Sequence, residues 1–195
     1  MQLCRQNKGG EKYLNAIEPH YNDLNAKAEA LKTSARNRVI AKDTIRLKDL
    51  MLDDELRKLH NRAKEYDKDF PGSKLTALLF PKGNITSTLI KSYEKEPDVA
   101  DQIALKVESL GESHPLYPMA AAIRTAIGEC KDALEAHKEA ADVEATAKTH
   151  VDLAKANFRK AYSDNYHQAA KDTDKRYAEK LFPRIKPYQK KDEEE

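Results

Sequence analysis

The chain contains no tryptophan, and in 195 residues it has only six glycines, eight prolines and two cysteines. Each scarcity excludes something. Aromatics at 7% and so few turn formers do not suit a sheet protein. Glycines scattered this thinly provide no Gly-rich loop to cradle a phosphate. Two cysteines, Cys4 and Cys130, cannot build a disulfide framework. Cys130 falls on a helical seam and reads as a small buried hydrophobe. Cys4 sits in MQLCRQNKGG, which lacks the apolar run of a signal peptide. No stretch approaches the roughly eighteen apolar residues of a membrane-spanning helix. A cytoplasmic protein is expected, with export by a signal-independent route as the alternative.

The motifs of common catalytic sites are missing as well. A di-metal bundle needs paired Glu-x-x-His motifs, and the nearest approach is one Asp164-Asn165-Tyr166-His167. There is no His-Glu-x-x-His, no paired-cysteine motif and no Gly-x-Ser-x-Gly elbow. The histidines, His20, His60, His114, His137, His150 and His167, are dispersed, and Ser113-His114 reads as a turn. The expectation is a protein that is not an enzyme and holds no metal or cofactor.

What is abundant is charge of both signs. Lysine and arginine total 35 and aspartate and glutamate 33, for a net +2. Hydrophobic residues make up 39%, many of them alanine. That balance suits exposed faces of long helices around a narrow apolar seam, rather than a thick core. A core so thin predicts an elongated molecule that associates with itself or with another protein.

The periodicity supports this. Residues 1–18 read as a leader, with Gly9-Gly10 a soft break and Pro19 in the first turn of a helix over 19–68. Tyr21, Leu24, Ala28, Leu31 and Ala35 keep a 3–4 spacing that resumes at Ile45, Leu52, Leu56, Leu59, Ala63 and Tyr66. This seam is ~70 Å long. Asp69, Pro71 and Gly72 end it. Residues 69–115 read as a head of three short helices: Lys74 to Leu79 capped by Ser73, a second from Asn84 or Thr86 to Tyr93, and Asp98 to Leu110. A second long helix spans 116–182, with a seam through Leu116, Ala120, Ile123, Ile127, Cys130, Leu134, His137 and Ala141. Continuous to Lys180 it would measure ~98 Å. Its weakest stretch is YSDNY at 162–166, where serine, aspartate and asparagine compete for backbone bonds. A polar tail fills 183–195. The fold class is therefore all-α: an elongated antiparallel long-helix hairpin or bundle with a small head, in a single structural domain.

Leu-Phe-Pro occurs twice, at 79–81 and 181–183. Proline disfavours helix in the residue before it, so each copy marks a helix stop with an apolar anchor. Polar residues interrupt both seams: Arg38, Lys42 and Asp49 in the first, His137, Glu144, Lys148 and Lys155 in the second. They lay their stems across the seam or pair across it and set register.

The composition leads to a non-catalytic helical scaffold or protein-interaction and self-assembly protein. The candidate contacts are Leu75, Leu78, Leu79 and Phe80 at the head, with Leu181, Phe182 and Ile185 at the other end. Nucleic-acid binding is the alternative. Lys32, Arg36, Arg38, Lys42, Arg46 and Lys48 stand against one acid, Asp43, in residues 32–48. That flank could instead face acids of the antiparallel helix such as Glu139, Asp142 and Glu144. A membrane-active protein is a third reading, resting on KLTALLFP. Its apolar run, Leu75 to Phe80, is too short to span a bilayer but long enough to dip into an interface.

Overall fold

A computed structural model describes residues 9–81, 85 and 92–183. Every regular element among them is a helix: α1 (Glu11–Asp69), α2 (Leu75–Leu79), α3 (Glu96–Glu108), α4 (Met119–Asp172) and α5 (Lys175–Leu181). The all-α class, the two long helices and the short helices beside them are as the periodicity predicts. The chain divides into two compact units. A central unit runs from Ser34 to Glu144, and a terminal unit joins residues up to Thr33 with those from Ala145 onward.

In the central unit α1 and α4 run antiparallel. Arg38 pairs with Glu144, and Lys48 meets Glu129 at 3.0 Å, so residue numbers rise on one helix as they fall on the other. Leu52, Leu56, Leu59 and Ala63 of α1 are fully buried against Ile123, Ile127 and Cys130 of α4. Ala100, Ile103, Ala104 and Val107 of α3 close the cluster, and Leu75, Leu79 and Phe80 complete it beside α2. The seam therefore becomes a real core where short helices thicken it. The second expected short helix, from 84 or 86 to 93, lies almost wholly outside the described residues.

The terminal unit has its own core. Tyr13, Leu14 and Ile17 of α1 pack with Ala169 of α4 and with Ala178, Leu181 and Phe182 of the α5 segment. Phe182 stands edge-on to Tyr13 at 6.0 Å and to Tyr162 at 5.3 Å. Tyr162 also donates its hydroxyl to the Pro183 carbonyl at 2.6 Å.

Several helix boundaries differ from expectation. The first helix begins at Glu11, so Pro19 lies inside it rather than in its first turn. An interior proline costs ~3 kcal/mol, and burial of Tyr13, Leu14 and Ile17 upstream offsets this. The second long helix passes through 162–166 unbroken, with the Asn165 amide donating to the Ala161 carbonyl at 2.8 Å. It breaks instead at Thr173, whose hydroxyl donates to the Ala169 carbonyl. Asp174 then caps α5 by accepting from the Tyr177 N–H, so the break lets α5 turn back and bury Leu181 and Phe182.

Ser73 does not cap α2. Lys74 occupies the cap position in a left-handed conformation at φ 49° with no side-chain cap bond. The Asp67 carboxylate does the work from α1, accepting from the N–H groups of Leu75 at 2.7 Å and Thr76 at 2.8 Å, and from the Ser73 hydroxyl. These donors hold the Asp67 carboxyl well below its ordinary pKa, the Ser73 hydroxyl contributing most.

Candidate interaction surfaces

Leu-Phe-Pro forms the same local structure twice. Phe80 ends α2 at φ −123°, ψ 79°, and Phe182 ends α5 at φ −126°, ψ 73°. Each phenylalanine N–H donates to the carbonyl four residues back, Thr76 and Ala178 respectively. Each anchor is consumed by its own core: Leu75, Leu79, Phe80, Leu181 and Phe182 are all buried. Leu78 differs, being 49% exposed. Ile185 lies outside the described residues, as does Cys4.

The basic flank is largely neutralised locally. Lys32 pairs with Glu29, Arg46 with Asp43, Lys48 with Glu129 and Arg38 with Glu144. Arg36 and Lys42 are exposed and take no ion-pair partner among the described residues. Of the other polar seam positions, Lys148 and Lys155 are exposed and Asp49 and His137 are half-buried.

The central unit also buries a carboxylate cluster. Glu96, in the first turn of α3, is 1% exposed and faces Asp53 and Asp49 of α1. Oε1 of Glu96 and Oδ1 of Asp53 are both buried with no N–H or hydroxyl donor. Burial first, then hydrogen bonding to Asp53 and the charges of both aspartates, pushes the Glu96 carboxyl up to about 9. At neutral pH it carries a proton, which supplies the missing donor between the carboxyl groups. Asp49 is raised too, by burial and then by the Asp53 charge. Arg57 holds the other Asp53 oxygen at 3.1 Å. The arrangement pins α3 to α1. Cys130 lies nearby, and burial pushes its thiol up to about 11, which keeps it protonated and unreactive. Among the described residues, no group of three or more His, Cys, Asp or Glu is placed to hold a metal ion. Among them, too, no helix is long and apolar enough to cross a membrane.

A groove of about 900 Å³ lies beside the end of α1, lined by Lys58, Arg62, Tyr66, Phe70, Leu116 and Met119 among others. Tyr66 there meets the rings of both Phe70, at 4.7 Å, and His114, at 4.8 Å.

Five exposed large hydrophobic residues lie close together on α1. Val39, Ile40, Leu47, Leu50 and Met51 are each between 43% and 57% exposed. At about 100° per residue they fall within an arc of about 120°. Ile45, Leu52 and Leu56, all buried, lie on the opposite side. The helix thus has a second apolar stripe, about 18 Å long, facing away from its own core. Its signal is present in the sequence as Ile40, Leu47 and Met51 at 7 and 4 residue spacing. The stronger Ile45–Leu52–Leu56 rhythm masks it, because two stripes on one helix blur any single periodicity. Beside Met51 a pocket of about 270 Å³ is floored by Ala122, Thr125 and Ala126 of α4.

No protein-family model matches the chain, and neither a curated protein nor a solved structure matches it.

Proposed function

We propose that the protein is a non-catalytic helical scaffold that works by presenting surfaces for association, chiefly with copies of itself. The observation that carries this reading is the outward stripe of α1, Val39, Ile40, Leu47, Leu50 and Met51. Scattered apolar side chains are normal on a surface, but a contiguous stripe at helical spacing is how one helix engages another. Covering it removes apolar area from water at roughly 25 cal/mol per Å². The Leu-Phe-Pro ends have a structural part in this reading: they hold the two cores, and of the head residues only Leu78 is left for a partner.

The experiment is light scattering coupled to size-exclusion chromatography at low and high salt. A defined oligomer that persists at high salt is expected, since apolar contacts are not screened. A monomer at both salt concentrations overturns the reading.

Nucleic-acid binding keeps a narrower basis, Arg36 and Lys42, which are exposed and have no ion-pair partner among the described residues. Replacing Arg36, Arg38 and Lys42 by Glu should abolish binding to a nucleic-acid duplex if that second reading holds.

A further inference from the structure

The outward stripe of α1 carries a charge pattern of its own. Arg36 precedes it and Asp54 follows it. At about 100° per residue, Arg36, Asp43, Leu47 and Asp54 lie along one line of the helix, within an arc of about 40°. Both ends are exposed. Arg36 has no ion-pair partner among the described residues. Asp54 has one long contact at 3.4 Å from Arg57, whose other nitrogen is committed to Asp53 at 3.1 Å. The stripe is therefore cationic at its Arg36 end and anionic at its Asp54 end, and between them its apolar residues surround one charge, Asp43, which is paired with Arg46 at 3.3 Å.

Such a surface is complementary to itself in one direction only. Two parallel copies would oppose Arg36 to Arg36 and Asp54 to Asp54. Two antiparallel copies oppose Arg36 to Asp54 at both ends. We propose that a second copy of this chain covers the stripe, the two α1 helices crossing antiparallel about a two-fold axis at the level of Ile45. In that register Val39 of each copy meets Met51 of the other, and Ile40 meets Leu50. Leu47 of each copy opposes Asp43 of the other beside the axis, where Asp43 keeps the Arg46 of its own chain as partner. The pocket beside Met51, floored by Ala122 and Ala126, gives the opposing Val39 somewhere to seat. A contact in which each residue and its partner exchange roles is the isologous geometry of a closed dimer. The interface lies wholly within the central unit and rests on the self-association reading above.

The test is sedimentation velocity on the full chain over a concentration series, with circular dichroism to confirm that each variant is folded. The substituted side chains are exposed, so folding should survive. The native chain is expected to dimerise, and Leu47→Glu to weaken dimerisation at least tenfold. Arg36→Glu and Asp54→Arg should each weaken it several-fold, because every dimer contains the contact twice. The double variant Arg36→Glu/Asp54→Arg should recover to within about threefold of the native chain, since both contacts are then reversed together. A native oligomer indifferent to Leu47→Glu overturns this interface and leaves self-association standing through another surface. A native monomer at every concentration overturns both. Loss of the dimer in Leu47→Glu without recovery in the double variant overturns the antiparallel register.

Discussion

A carboxyl group that is 1% exposed and faced by two aspartates keeps its proton until about pH 9. The ordinary value for glutamate is 4.5. Between those limits the folded chain binds one proton more at Glu96 than the unfolded chain does. Stability from this group is therefore fully present below about pH 4.5 and is lost as pH rises toward 9, with a slope of at most ~1.4 kcal/mol per pH unit. His60 acts in the opposite sense. Burial, then the charge of Lys64, lowers its pKa, so its contribution is present above the ordinary value of 6.5 and fades as pH falls. Above pH 6.5 the His60 contribution is fully present and constant, so of the two only Glu96 changes stability there. Glu96→Gln, which is neutral at every pH, should flatten the decline in stability between pH 7 and 9 and should not destabilise the protein at pH 8. Denaturant unfolding at pH 6, 7.5 and 9 measures this. A native chain whose stability is constant over that range would show that Glu96 is not held neutral. Nothing local in the sequence announces the site, because Glu96 beside Pro97 reads as an ordinary first-turn acid. Its burial depends on Asp49 and Asp53, more than forty residues away in the chain.

Helices were legible in the sequence where one apolar period dominates. Leu52, Leu56, Leu59 and Ala63 against Ile123, Ile127 and Cys130 form the core that the spacing implies. Both Leu-Phe-Pro stops lie where the proline rule puts them. Boundaries fixed by tertiary contacts were not legible. Asp67 replaces Ser73 as the cap because α2 folds back within its reach. The break after α4 falls at Thr173, where Asp174 can cap and Phe182 can bury, and not at the weaker-looking 162–166. Pro19 is the sharpest case. As the helix starts at Glu11, the Asn15 carbonyl has no N–H four residues on. Pro19→Ala restores that donor, a gain of up to ~3 kcal/mol. It also frees the unfolded chain, a loss of up to ~1 kcal/mol. A net stabilisation of about 1–2 kcal/mol is expected, or several degrees in Tm for a chain of this size. A lower Tm in thermal unfolding would mean that the helix bends at Pro19 in a way the terminal core requires.

For the molecule as a whole, the outward stripe of α1 links association to stability. Arg36, Asp54 and the apolar residues between them are ordinary surface positions in the sequence, and their alignment on the face opposite the core emerges only once the core is located. If native copies pair through that face and unfolded chains do not, pairing raises stability by mass action. The gain is on the order of 1 kcal/mol for each tenfold rise in protein concentration once most copies are paired. At roughly 2–4 °C per kcal/mol, a hundredfold concentration series should move Tm by several degrees. The direction is fixed, because dilution can only favour unfolding of a pair. In Leu47→Glu, with pairing weakened, Tm should lie below that of the native chain at each concentration and should move less over the same series, since an exposed side chain contributes little to the monomer itself. Differential scanning calorimetry at matched salt makes the comparison. A native Tm independent of concentration, in a chain that sediments as a dimer, would mean that unfolded chains associate as strongly as folded ones. The contact would then belong to exposed sequence rather than to a face that α1 builds only when folded.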